Sequence, residues 1–71
     1  MRPMSEHTYK IIKLAGSSKE SIEGAIENAV AKSDESLEQL RWFEVKETRG
    51  HIADGKVAHY QVIIEVGFTL K

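Results

Sequence analysis

Cysteine is missing altogether, proline and tryptophan occur once each, and neither sign of charge prevails in these 71 residues. Without cysteine there is no disulfide framework, and the three histidines alone make no cysteine-rich zinc site. A formal net charge of −1 speaks against a nucleic-acid module, which usually carries a marked basic excess. No apolar run approaches the ~20 residues that span a bilayer. The stretch from Met1 to Lys10 is polar and charged, with no secretory apolar core. These absences lead to the expectation of a cytoplasmic, soluble protein with neither nucleic acid nor membrane as partner.

What is present is a chain with 41% hydrophobic and 30% charged residues, short enough for one domain over residues 1–71. A chain of this size buries only roughly 60% of the surface its unfolded form exposes, and small scaffolds usually need staples. With disulfides excluded, self-association is the common remaining remedy.

Residues 1–6 contain the only proline, Pro3, and read as a loose end. His7 to Ala15 reads as a strand, with Tyr9 and Ile11 on one face and Ile12 and Leu14 on the other. Gly16 is expected to end it, and Ser17 with Glu20 fits a capping box. Ile22, Ala25, Ile26, Ala29, Val30, Ser33, Leu37 and Leu40 then follow steps of three and four, the stripe of a helix of about five turns. Trp42 to His51 alternates again, and Asp54-Gly55 signals a hairpin before a third run, Val57 to Leu70. There Tyr60, Val62, Ile64, Val66, Phe68 and Leu70 share one face, which places this strand at the sheet centre. A right-handed crossover makes the first two strands parallel, with the third between them and antiparallel to both.

A two-residue turn at Asp54-Gly55 sets Phe43 opposite Val66 and Val45 opposite Ile64, under the helix. The other face then carries Trp42, Glu44, Lys46 and Thr48, beside His59, Gln61, Ile63, Glu65 and Gly67. One helix cannot cover both sides of a sheet, so this face meets water, a subunit or a ligand. A tryptophan pointing away from its own core fits a subunit contact. That is the favoured reading from the residues alone; the sharper one is a stacking platform for a flat aromatic ligand, with Gln61 supplying donor and acceptor. In this register Gln61 faces Thr48, six residues from Trp42, or roughly 20 Å at 3.3 Å per residue. A single small ring meeting both must take them from different subunits.

Several runs together resemble the dodecins, small flavin-binding proteins, from His7 to Leu70. They are Leu14-Ala15-Gly16-Ser17-Ser18, Trp42-Phe43-Glu44-Val45, Arg49-Gly50-His51, Tyr60-Gln61-Val62 and Val66-Gly67-Phe68. The resemblance implies an α+β fold: a β-α-β-β subunit whose three-stranded antiparallel sheet partly wraps around one helix. It further implies a hollow homododecamer that binds flavin as stacked pairs between subunits. Trp42 matches the family tryptophan that stacks on the isoalloxazine ring, and Gln61 the glutamine that hydrogen-bonds the ring's polar edge. Arg49 matches the arginine of the family's Arg-Gly step and is the phosphate candidate. The implied role is flavin storage and buffering with photoprotection, in which Trp42 quenches the excited flavin and no substrate is turned over. FMN or riboflavin is the implied ligand, and coenzyme A binding is also known in the family. Some bacterial relatives carry a basic residue where this chain has Thr69, which bears on the choice between FMN and riboflavin. Glu47 sits where relatives place an acidic residue near a cation on a symmetry axis; a solvated or salt-bridged Glu47 is the plainer reading.

Other constellations read as structural. Glu44 faces Glu65, but Lys46 is near and no nucleophile accompanies the carboxylates. His7, His51 and His59 lack metal spacing, since His51 is set opposite Ala58 and away from His59. Gly16-Ser17-Ser18 lacks the lysine of a phosphate loop, so plain capping is favoured. A base-stacking sheet would need more aromatics than Trp42 on its open face. A structural, oligomer-forming interaction domain that binds no flavin is the alternative reading.

Overall fold

Two kinds of hydrophobic spacing, period two and period 3.6, alternate along the chain. In a computed structural model, which describes residues 8–35 and 40–70, they become β1 (Tyr9–Ser18), α1 (Ile22–Asp34), β2 (Leu40–Ala53) and β3 (Lys56–Thr69). The sheet order is β1-β3-β2, with β3 antiparallel to both neighbours. The expected β-α-β-β architecture with its central third strand is therefore present. The loose end expected at residues 1–6 lies outside the described residues, as do His7 and Leu37.

Helix and sheet meet through small residues. Ala25 and Ala29 are buried against Val62, Ile64 and Val66, with Ile12, Leu14, Ile22, Ile26, Val30 and Leu40 packed around them. Gly16 does not end the first strand as expected; β1 passes through it to Ser18. Its lack of a side chain serves close approach instead. A Cβ there would overlap the Ala25 carbonyl oxygen and lie 2.7 Å from the Ala29 Cβ.

Because β1 continues, the cap also moves. Ser21 is the N-cap, and its hydroxyl accepts from the Gly24 N–H at 2.9 Å, which satisfies an otherwise unpaired helix donor. Ser17 is still in the strand and cannot cap. Ser18 shapes the turn, its hydroxyl accepting from the Glu20 and Ser21 N–H groups at 2.9 and 3.4 Å. The helix is shorter than the stripe implied: it ends at Asp34, and Leu40 opens β2. Buried Ser33 donates to the Val30 carbonyl at 2.9 Å, so its hydroxyl is not left unpaired.

Asp54 and Gly55 both take positive φ, 54° and 75°, and Ala53 pairs with Lys56. That is the expected two-residue hairpin, with the backbone twist that suits its strands. Phe43 opposite Val66 and Val45 opposite Ile64 also stand as expected. The helix does not cover them, however. A three-residue link ties α1 to β1, so it packs over β1 and β3 while Phe43 and Val45 stay 47% and 37% exposed at the far edge. A groove of about 570 Å³ opens there, lined by Ile26, Val30 and Phe43 with Glu23, Glu27 and Asp34.

Replacing Gly16 by alanine drives a methyl into the Ala25 carbonyl and forces α1 off the sheet. Overpacking of this kind costs about 1–3 kcal/mol. The urea midpoint, taken at fixed protein concentration, is expected to fall; an unchanged midpoint would show that helix and strand are not in close contact.

Candidate functional site

Side chains directly opposite each other on antiparallel strands emerge on the same face. The β2–β3 ladder therefore decides what the open face presents, and the ladder is not regular. Its register shifts between His51 and Ile52, between Val45 and Glu47, and between Leu40 and Trp42. The first shift inserts Ala58 in β3 and the second inserts Lys46 in β2, each an extra unpaired residue of the β-bulge kind.

Between those two bulges the facing pairs differ from a uniform hairpin. Gln61 lies opposite Arg49 rather than Thr48, and His51 lies opposite His59 rather than Ala58. Thr48 pairs with Val62 and so belongs to the helix side, while Glu47, Arg49 and His51 join the open face. Beyond the second bulge the expected pairs return, with Glu44 opposite Glu65 and Trp42 opposite Gly67. Sequence reasoning missed the bulges, but a signal was there. After Phe43 and Val45 the next helix-side position should be apolar, and residue 47 is Glu.

Trp42 is held by what lies beneath it. A Cβ on Gly67 would run into the six-membered part of the indole, so the ring lies across the glycine backbone. Tyr9, reaching over from β1, meets it edge-to-face with centroids 5.1 Å apart and planes at 74°. Trp42 nevertheless remains 41% exposed. An indole backed by glycine, steadied by a tyrosine and open to solvent can stack on a planar partner. Nearby, the Arg41 Nε donates to Thr69 Oγ1 at 2.9 Å, which places a guanidinium beside the position where the sequence itself carries no charge.

The second cluster lies six residues along β3 from Gly67, roughly 20 Å at 3.3 Å per residue. The Arg49 Nε donates to Gln61 Oε1 at 2.6 Å, and its Nη1 pairs with Glu47 Oε1 at 3.4 Å. With the amide oxygen engaged by Arg49, the NH2 group is the part of Gln61 left to act as a donor to a carbonyl or ring nitrogen. The structure thus puts Trp42, Gln61, Arg49 and Glu47 on one face, in two clusters that one small ring cannot bridge. Glu44 is ion-paired to Lys46 at 3.7 Å. Among the described residues no group of three or more His, Cys, Asp or Glu is placed to hold a metal ion. No helix among them is long and apolar enough to cross a membrane.

The architecture is that of a small α+β protein: a β-α-β-β unit with a helix on one face of its sheet and an exposed, glycine-backed tryptophan on the other. The sequence model of the dodecin family matches residues 8–71. The dodecin of Thermus thermophilus is 49% identical over 63 residues, covering 89% of this chain and 91% of that one. The dodecin structure from Streptomyces coelicolor superposes with a TM-score of 0.92 at 44% identity, covering 96% of this chain and 97% of the other. That from Streptomyces davaonensis gives a TM-score of 0.90 at 42% identity, covering 93% and 97%. The chain belongs to the dodecin family, a family of small flavin-binding proteins.

Gly67→Ala is expected to displace the indole with the strands retained. Trp42 is the only tryptophan, so its emission reports the change alone: a red shift is expected, and an unmoved spectrum would show that the ring does not rest on residue 67.

Proposed function

We propose that the protein stores and buffers flavin, binding riboflavin or FMN as stacked pairs between the subunits of a hollow homododecamer. The observation that carries this is the Trp42 ring, laid over Gly67 with 41% of its residue surface exposed. The contacts with Gly67 and Tyr9 fix this large aromatic group in place yet leave it open to a partner. A planar heteroaromatic ring fits it by area and shape, and the amide of Gln61 fits a ring with polar atoms along one edge. Because Trp42 and Gln61 are roughly 20 Å apart along the strands, one flavin takes the two from different subunits.

Self-association is supported by what one chain leaves uncovered. Among the described residues Ile11, Phe43, Ile52 and Val57 are 52%, 47%, 79% and 54% exposed, while the buried hydrophobic core comprises five residues. A small core with large apolar side chains outside it is what subunit contacts complete. The role is one of binding, with no substrate turned over. When bound, flavin supplies a light-absorbing ring. Trp42 supplies an electron donor in contact with it, so that excitation is lost by electron transfer from the indole and back. This is the photoprotective part of the reading.

Arg49 has a more specific task than the sequence alone implied. Its hydrogen bond to Gln61 orients the amide, so we assign it to positioning Gln61 before any contact with a ligand phosphate. Coenzyme A remains a second ligand for the same assembly. Glu47 is paired with Arg49, and a cation held by it needs further carboxylates brought by neighbouring subunits.

The test is a titration with riboflavin and with FMN, followed by flavin fluorescence on protein of known light-scattering mass. Strong quenching that saturates near one flavin per chain at about twelve chains is expected. A large oligomer without quenching would leave the structural-domain reading. Trp42→Ala is expected to weaken flavin binding by about tenfold or more, since stacking on an aromatic side chain contributes ~1–3 kcal/mol. An unchanged dissociation constant would overturn the role of Trp42. Gln61→Ala should cost about 1–3 kcal/mol by leaving ring groups unpaired. If Arg49 acts through Gln61, Arg49→Ala and Gln61→Ala couple, by ~0.5–3 kcal/mol in a double-mutant cycle for riboflavin, which carries no phosphate. Simple additivity would show that Arg49 works separately.

A further inference from the structure

We propose that His51 and His59 form a two-imidazole clip for a borderline first-row divalent cation of the copper, zinc and nickel kind. The two residues are direct cross-strand partners on the open face, and their rings stack with centroids 4.4 Å apart and planes 23° from parallel. The extra residue at Ala58 creates this pairing. In an unbroken register His51 would face Ala58, and the two imidazoles would point to opposite sides of the sheet. Bulges often re-aim a side chain beside a functional site.

Each imidazole can offer a ring nitrogen lone pair to a metal ion, and the ladder on both sides holds their backbones at fixed spacing. Only the side-chain torsions must adjust for both nitrogens to meet one ion, which lowers the entropic cost of chelation. Nitrogen ligands without a carboxylate select copper, zinc or nickel over magnesium or calcium. Two cations lie near the pair: Arg49, whose guanidinium is engaged by Gln61 and by Glu47, which offsets its charge, and Lys19, which lines a shallow pocket with His59. The remaining coordination positions are open to water. The inference stands on the histidine pair alone and is independent of how flavin binds.

Copper(II) alone, titrated calorimetrically into the full-length assembled protein at pH 7.5, is the probe. One ion per chain is expected, with nitrogen hyperfine splitting in its paramagnetic resonance spectrum. His51→Asn and His59→Asn should each weaken binding by more than the ~10–100-fold that loss of a mere outer-shell partner costs. His7→Asn should leave it unchanged. Absence of stoichiometric binding, survival of full affinity in either variant, or its loss in His7→Asn would overturn the clip. Should a variant fail to fold, ascorbate-driven oxidation of the copper-loaded wild-type protein decides. Oxygen addition mapped to His51 and His59 supports the site, and addition confined to His7 overturns it.

Discussion

Every candidate site residue in this protein takes its position from the pairing of β2 with β3. Among the described residues the open face has no helix to hold it, so the ladder determines which residues emerge together. Because side chains alternate along a strand, a shift of one residue moves a whole segment to the other face. Two bulges, at Ala58 and Lys46, make such a shift and then reverse it. The segment between them delivers Arg49 to Gln61 and His51 to His59, while the segment beyond keeps Trp42 over Gly67.

The other face shows a different economy. A helix of 13 residues rests on β1 and β3 through Gly16, Ala25 and Ala29, so closely that no side chain fits at residue 16. Close contact brings the buried residues together but narrows what the helix can reach. Phe43 and Val45 are left at its far side, beside a groove rimmed by Glu23, Glu27 and Asp34. The same short link that fixes the helix on β1 thus leaves β2 in need of other cover. A fold with so small a core and so much apolar edge is suited to being one unit of a larger shell.

The two clusters on the open face are complementary in chemistry and too far apart to cooperate within one chain. Trp42 brings area and an electron donor; Gln61, oriented by Arg49, brings a directed amide. On the proposed reading, their separation makes the assembly part of the binding site as well as a means of stability. Nothing in this arrangement resembles a nucleophile with its base, and Glu44 is occupied by Lys46.

Much of this was legible before any coordinates. The alternation of Tyr60, Val62, Ile64, Val66 and Phe68 marks a central strand, the stripe from Ile22 to Ser33 marks a helix, and Asp54-Gly55 marks the hairpin, because each is a local property of backbone sterics and hydrophobic spacing. Trp42 and Gln61 were legible as an outward-facing pair for the same reason. The end of the helix was not, since Leu40 continues a helical spacing equally well as it begins a strand. Nor were the Ser21 cap, Gly16 as a contact point, or the exposure of Phe43, which depend on where the helix comes to rest. Above all, the partners of Gln61 and His51 could not be read from a uniform hairpin. A bulge is a compromise between two strands that each keep their own side-chain demands, and only their pairing in three dimensions decides which residue is left out of the ladder.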